Sequence, residues 1–557
     1  MRDSRKWWVL SVTSLGALLS ALNFSTLIIA LPDLIRSLHA SLLQAMWIMM
    51  AYMVAQTVMV LMAGSLADRF GRRRLYLFGM AFFTLLSLIA GFASTAPVLI
   101  ILRVFQGIGG AMVMANSTAI VADAFPHREL GRALGINVMV VAVGQILGPV
   151  LGGWLTTEYG WQWTFWFNVP FGIIGVGWGL WVLGLKSTVV NSGRRLDYGG
   201  IFSYLFFITG LLMALTWGAV QAWNTTVVYV GAATFVVALP LFIWAENVSE
   251  APILHLRLFS NRVFGLGNLS ATLNAIARMA IMFLLIFYFQ GAKGDTALTA
   301  GILSTPLAIG MLVFSPIGGW IADRFGATLP ATSGIALSMV GLIGLALDTH
   351  LTTPYWRLAL WMGIAGIGSG LFNSPNTSSI MNAAGLKHRG EASGIRSLTT
   401  NTGMLVSIAF SLVLVTASIP KAAMLAIFAG TVQGLHGSAE TASLHGFIHG
   451  LHVAFWTMAG ISLIAAILSA LRGGGQNGRP SLRMVTAILL GREATRILKE
   501  RSATNLSREE RVLVTMAVSE LEKVTKGSND DDASLASTST GRDGKTARVA
   551  TGTGTEH

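Results

Sequence analysis

Two short stretches set charge among oily residues. In GSLADRFGRRRL, Gly64 to Leu75, the acid Asp68 and the bases Arg69, Arg72, Arg73 and Arg74 stand between two long apolar runs. In GWIADRFG, Gly319 to Gly326, Asp323 and Arg324 repeat the arrangement. Carboxylates beside guanidiniums form charge-assisted ion pairs, and such pairs can latch two helices together and release them. Arginines alone would only anchor topology; the duplicated acid-and-base pattern points to a latch. Covalent chemistry has no comparable signal, because no His, Ser or carboxylate set converges at catalytic spacing. The chain is therefore not expected to be an enzyme. Cysteine is absent, which excludes disulfides and thiolate metal sites. The one G-K-T, Gly544 to Thr546, lacks the first glycine of a phosphate loop. No cofactor is expected.

A second group of polar residues lies within the apolar runs. Arg103 sits about five residues inside its run, Arg278 near the centre of another and Arg396 a turn inside a third. A buried arginine is costly in lipid. Arg103 is either retained for function or snorkels to the interface; Arg278 and Arg396 are either cavity charges or contacts to helices and phospholipid. Asn23, Gln56, Asn116, Asn137, Gln145, Asn274, Asn373 and Asn401 are candidate substrate contacts, with helix-to-helix hydrogen bonding as the plainer reading. His445, His449 and His452 share one helical face. Metal binding by them lacks carboxylate support, which leaves proton sensing or interfacial packing, and no metal site is expected.

What must position these residues is a set of membrane helices. With 53% hydrophobic and 11% charged residues and a mean hydropathy of +0.65, the chain has too little charge to cover a soluble surface. Apolar runs of roughly 18 to 25 residues recur from Trp8 to Leu471, each long enough to cross a hydrocarbon core. The first follows a basic start but has no convincing cleavage site, so it reads as a retained span rather than a signal peptide. Spans are expected near 8–31, 44–63, 75–93, 98–121, 132–155, 165–184, 199–217, 226–244, 264–289, 298–320, 328–347, 355–378, 393–416 and 446–470, fourteen in all. The segments on the side of the termini hold most of the Lys and Arg. The opposite segments carry only Arg36, Lys293, Arg357 and Lys421. The positive-inside rule then puts both termini in the cytoplasm. The net charge of +13 is thus topological, and nucleic acid is not needed to explain it.

The repeat of A-D-R-F-G, in both cases in the short loop between two spans, implies two related halves. The expected organisation is an all-α membrane protein: a six-helix bundle over 1–185, two inserted helices with their linkers over 186–262, and a second six-helix bundle over 263–471. A tail over 472–557 follows, with two short helices, the second opened by a capping box at Ser507 and Glu510, and a disordered end from Gly527.

Three motifs carry a resemblance. The Gly64 stretch fits G-x-L-A-D-R-x-G-R-R/K; LIILRVFQGIGGA from Leu99 contains Arg103 and Gly107; and GQILGPVLGG sets Gly144, Gly148 and Gly152 four residues apart around Pro149. Glycines at that spacing make a flat face for close helix packing, and the proline permits a bend. Together these motifs resemble the major facilitator superfamily. With WQWTFWFNVPFG at Trp161, RRLDYGG at Arg194 and PNTSSIMNAAGLKHRGEASGIR at Pro375, the chain looks like the fourteen-span drug:proton antiporter branch, the QacA/EmrB-like multidrug exporters. The resemblance implies export of lipophilic small molecules by alternating access, from a cell membrane and with a proton or another ion as coupling partner. It also implies a latch between Asp68 and the arginines, and pairing of Asp123 with Arg72. Spans 1, 4, 9 and 12 would line the substrate site. Membrane lipid is the other partner, and a monomer is expected. The alternatives are an exporter or flippase of an anionic lipid or metabolite, and, from another class, a receptor or scaffold signalling through its tail.

The chain departs from that branch in its first span. An aspartate is usual there, whereas this sequence reads LNFSTLIIALP with Asn23 in its place. No carboxylate lies near the middle of any expected span. A coupling proton would then need a rim group such as Asp33, His449 or His452.

Overall fold

In the computed structural model the described residues are 2–184, 197–249, 254, 256–419, 421–432 and 438–473. The two expected tail helices, the capping box and the disordered end lie outside them. The described residues form helices in the order α1 (Arg2–Ser37), α2 (Leu42–Phe70), α3 (Arg72–Ala90), α4 (Ala96–Ala124), α5 (His127–Tyr159), α6 (Trp163–Trp166), α7 (Asn168–Leu183), α8 (Tyr198–Val220) and α9 (Thr226–Val248). They continue as α10 (Arg262–Phe287), extended by a π-helical turn Tyr288–Ala292, then α11 (Ala297–Leu303), α12 (Thr305–Phe325), α13 (Thr328–Asp348), α14 (Tyr355–Ala383), α15 (Gly385–Thr416), α16 (Lys421–Phe428) and α17 (Ser438–Leu471).

Thirteen helical stretches among the described residues are long and apolar enough to cross a membrane. The expected span 355–378 forms α14, which carries Ser369, Asn373, Ser374, Asn376 and Thr377 and is not among the thirteen. It packs along α12 and α13. Helices rather than strands follow from the solvent: in hydrocarbon, every backbone amide must be satisfied within its own segment.

Charge ends the helices where the sequence changes character. Gly64 to Phe70 was expected to be loop, yet it completes α2, and Gly319 to Phe325 likewise completes α12. Neither stretch contains proline, and Arg69 and Arg324, in the last turns, complement the negative helix end. The breaks fall at Gly71 (φ 89°) and Gly326 (φ 85°), left-handed backbone that glycine adopts without strain.

Packing within the first part joins α1 to α5, α2 to α4 and α3 to α4; within the last part it joins α12 and α13 to α14, α10 to α15 and α17, and α13 to α17. Helices α8 and α9 pair with each other, and α8 also reaches α2 and α15. Val230, Val236, Val237, Leu241 and Trp244 of α9 are exposed, an apolar face suited to lipid.

Candidate functional site

The most deeply buried charge lies among the first four helices. Arg103 of α4 has no exposed surface. Of the two readings of this residue, snorkelling is the one the structure contradicts: the guanidinium turns inward, donating to the Ile48 carbonyl of α2 at 3.2 Å and to Gln106 Oε1 at 2.6 Å. It also donates a short hydrogen bond to Asn23 Oδ1 of α1 and lies over the Tyr52 ring, 4.1 Å from its centroid. All these acceptors are neutral. Nη2 is buried without a hydrogen-bond partner, so the charge is solvated by amides, a carbonyl and a π face rather than by an acid.

The network extends outward from that centre. Gln106 Nε2 donates to Ser87 Oγ of α3 at 2.7 Å. Gln56 Nε2 donates to Ser20 Oγ at 3.0 Å, with Tyr52 OH and Met114 Sδ also in reach. Gln106 and Tyr52 were not singled out in the sequence, although their offsets from Arg103 (i, i+3) and from Gln56 (i, i+4) put them on shared helix faces. Asn137 of α5 donates to Ser14 Oγ at 3.4 Å and Ser117 Oγ at 3.3 Å, and Asn116 to its own helix at Met112 O, 2.7 Å away. In this structure, then, Asn23, Gln56 and Asn137 tie the first helices to one another, whereas Asn116 bonds within α4.

Glycines set how closely the helices approach. Along α5, a Cβ on Gly144 would meet Leu18 at 2.9 Å, one on Gly148 would meet Ser25 Oγ at 1.8 Å and one on Gly152 would meet the Thr26 backbone at 2.6 Å. The expected glycine face therefore carries α1. Gly107 of α4 lies similarly against the Tyr52 carbonyl, 2.4 Å from where its Cβ would be.

The first and last parts meet where α1 and α5 end. There Gly153 lies under the Ala297 carbonyl and Gly301 under the Pro149 carbonyl, 2.4 and 2.3 Å from the positions their Cβ atoms would take. Leu298 N donates to Thr157 Oγ1 at 3.1 Å and Gln290 Nε2 to the Ile29 carbonyl at 2.9 Å. Just inside this seal is a small, mostly apolar pocket lined by Gln145 and Pro149 of α5, Met282 of α10, Thr305 of α12 and Met362 of α14. On the other side of the bundle, Tyr204 OH of α8 and Thr402 Oγ1 of α15 are 2.7 Å apart.

Among the remaining candidates, Asn274 is buried on α10 and Asn373 donates to Met311 Sδ at 3.8 Å. Arg278, Arg396 and Asn401 are half-buried. Where α2, α3 and α4 meet, Arg72 Nη1 pairs with Asp123 Oδ1 at 2.9 Å. The Asp68 side chain lies outside the described residues. Asp323 and Arg324 are exposed, Arg324 over the Trp320 ring at 4.3 Å. Asp33 pairs with Arg36 at 3.3 Å.

The three histidines do not act as one set. His445 and His449 are exposed, whereas His452 is half-buried, its Nε2 2.7 Å from the Thr349 carbonyl and its ring 5.0 Å from that of His350. The turn that follows α13 covers only that part of α17, which separates the three. No group of three metal-ligating side chains occurs among the described residues.

Comparison with known proteins agrees with this architecture. A sequence profile of the Major Facilitator Superfamily matches residues 13–248 and 267–483. The riboflavin transporter RibZ of Clostridioides difficile is 33% identical over 68% of this chain and 81% of its own. The multidrug resistance protein Stp of Mycobacterium tuberculosis is 30% identical over 72% of this chain and 74% of its own. The tetracenomycin C resistance and export protein of Streptomyces glaucescens is 27% identical over 84% of this chain and 91% of its own. Among solved structures, an inward-facing, occupied bacterial homologue of the human lysosomal transporter Spinster superposes with a TM-score of 0.58 at 19% identity, over 85% of this chain and 98% of that one. A profile that matches both halves, on a bundle of apolar helices sealed between its first and last parts, shows that this chain belongs to the major facilitator superfamily and is a transporter rather than an enzyme.

Proposed function

We propose that this protein is a secondary exporter of lipophilic small molecules that works by alternating access. The observation that carries the reading is the seal at the ends of α1 and α5, where Gly153 and Gly301 bring opposite parts of the chain into backbone contact. Such a contact has two discrete states, closed or parted, as gating between two bodies requires. Parting it while a second seal forms near Asp68 and Asp323 would turn the apolar pocket at Gln145 from one side of the membrane to the other. The moving bodies in this reading are 1–185 and 263–471, with α8 and α9 as an inserted pair and α14 as the fourteenth crossing. The basic residues on the side of the termini favour a cell membrane with both termini in the cytoplasm. The protein acts as a monomer with surrounding lipid.

Proton antiport is the coupling we propose. Its acceptor is a rim group or the substrate itself, because Asn23 cannot carry the proton. Purified protein in proteoliposomes, loaded with dye and given imposed pH and sodium gradients, tests the reading. Dye flux that follows the pH gradient is expected. Flux indifferent to both gradients would exclude ion-coupled export, and no flux at all would favour the scaffold alternative.

A further inference from the structure

Away from the seal, α10, α15 and α17 enclose an open-sided groove. Helices α15 and α17 touch at one end, where the positions that Cβ atoms of Gly446 and Gly450 would take lie 2.5 and 2.8 Å from the Ser418 and Val415 carbonyls. Toward the other end, where α17 stops, each is bonded to α10 instead. Thr399 Oγ1 of α15 donates to Asn268 Oδ1 at 3.5 Å, and Ser270 Oγ of α10 donates to the Ala465 carbonyl of α17 at 3.2 Å. Between these walls lies a groove of about 660 Å³, lined by Phe259, Arg262, Leu266, Leu269, Thr399 and Leu471. Its floor is one stripe of α10, because Arg262, Leu266 and Leu269 stand four and three residues apart. Gly267, on the opposite side of that helix, packs on α14, its Cβ position 3.0 Å from Ile380. The groove therefore faces away from α14 and from the pocket at Gln145, and Leu269 and Leu471 are 46% and 64% exposed.

We propose that this groove binds one anionic phospholipid from the leaflet on the side of the termini, with its phosphate on Arg262 and an acyl chain along Leu266 and Leu269. The distribution of polarity carries the assignment. Deep in the groove, Asn268 Nδ2 donates to the Phe264 carbonyl at 2.9 Å and Thr272 Oγ1 to the Asn268 carbonyl at 3.0 Å, so both spend their donors within the protein. At the mouth, Arg262 is exposed and has no hydrogen bond or ion pair among the described residues. No acidic side chain lines the groove among those residues. Its guanidinium fork suits a phosphate, and basic side chains at the membrane surface attract anionic lipid. Length agrees with charge. Arg262 is the first residue of α10 and Thr272, also in the lining, is ten residues on. That is about 15 Å of helix, half of a hydrocarbon core of about 30 Å. A cation above an apolar groove one leaflet deep, open on a side remote from the transport pocket, matches a membrane amphiphile in charge, length and direction of entry.

Native mass spectrometry of the delipidated full-length protein tests the site, with dioleoylphosphatidylglycerol, zwitterionic dioleoylphosphatidylcholine and glycerol 3-phosphate as probes. The native protein is expected to retain one phosphatidylglycerol at concentrations where phosphatidylcholine is lost. Arg262→Gln should weaken that retention roughly tenfold and leave the weaker binding of phosphatidylcholine unchanged. Arg262→Lys keeps the charge and should retain most of the binding, which separates lost charge from lost fold. Leu269→Trp fills the floor at an exposed position and should weaken both lipids. Equal retention of the two lipids by the native protein, or phosphatidylglycerol retention unaltered in Arg262→Gln or in Leu269→Trp, would overturn the proposal. Displacement of the lipid by an equal concentration of glycerol 3-phosphate would overturn it as well, by showing a site for the phosphate alone.

Discussion

The Arg103 guanidinium of α4 donates to the amide oxygen of Asn23 on α1. A buried cation in the first half is thus held by a neutral partner at the position where the resembled exporters carry an acid. Asn23→Asp should convert this contact into a buried ion pair whose Coulombic gain is largely offset by desolvation of the new carboxylate, so little change in melting temperature is expected. It should also add export of a lipophilic cation and make transport depend on pH at a new group. The native protein is expected to favour neutral or anionic dyes. Thermal melts and paired dye assays check this. Strong native export of the cation, unchanged by the added carboxylate, would show that the charge governing preference lies elsewhere.

The Arg72–Asp123 pair joins α3 to α4 near the expected latch, and its side chains are 39% and 54% exposed. A pair so exposed contributes at most about 1 kcal/mol. Asp123→Asn should therefore leave the melting temperature nearly unchanged while slowing transport, and exchanging the two charges should restore part of the rate. Asp68→Asn should slow transport in the same way with substrate affinity intact. Full transport by either variant would remove that residue from the gate.

Closure of the seal depends on two missing side chains. A Cβ on Gly301 would stand 2.3 Å from the Pro149 carbonyl. Gly301→Val should destabilise the sealed state by about 1–3 kcal/mol. The native chain has no cysteine, so Thr157→Cys with Leu298→Cys gives a clean reporter. We expect efficient cross-linking of that pair alone and a clear loss when Gly301→Val is added. Unchanged cross-linking would mean that the seal tolerates the side chain.

Arg472 marks where the chain can be cut. It is buried and bonded to Asn376 and Ala327, burial draws its guanidinium down to about 10, and Gly473 O accepts from Thr328 Oγ1 at 3.1 Å. A protein ending at Gly474 should melt and transport like the full chain. One ending at Leu471 loses both charged hydrogen bonds and should be less stable by roughly 2–4 kcal/mol. Equal stability of the two truncations would show that those bonds are dispensable.

Sequence alone determined the solvent, the helical class and the family. Those follow from composition, from the lengths of apolar runs and from motifs whose residues are neighbours along the chain: Gly144, Gly148 and Gly152 fall on one face of a helix whatever that face meets. Partners of a buried polar group are another matter, because they come from other helices and depend on rotation and depth. Nothing local to Arg103 says that it turns inward to Asn23 and Ile48 rather than outward to the interface. Likewise, His452 separates from His445 and His449 only because the turn after α13 covers one end of α17. In both cases the partner is fixed by distance in space and not by separation along the sequence, so only the tertiary structure names it.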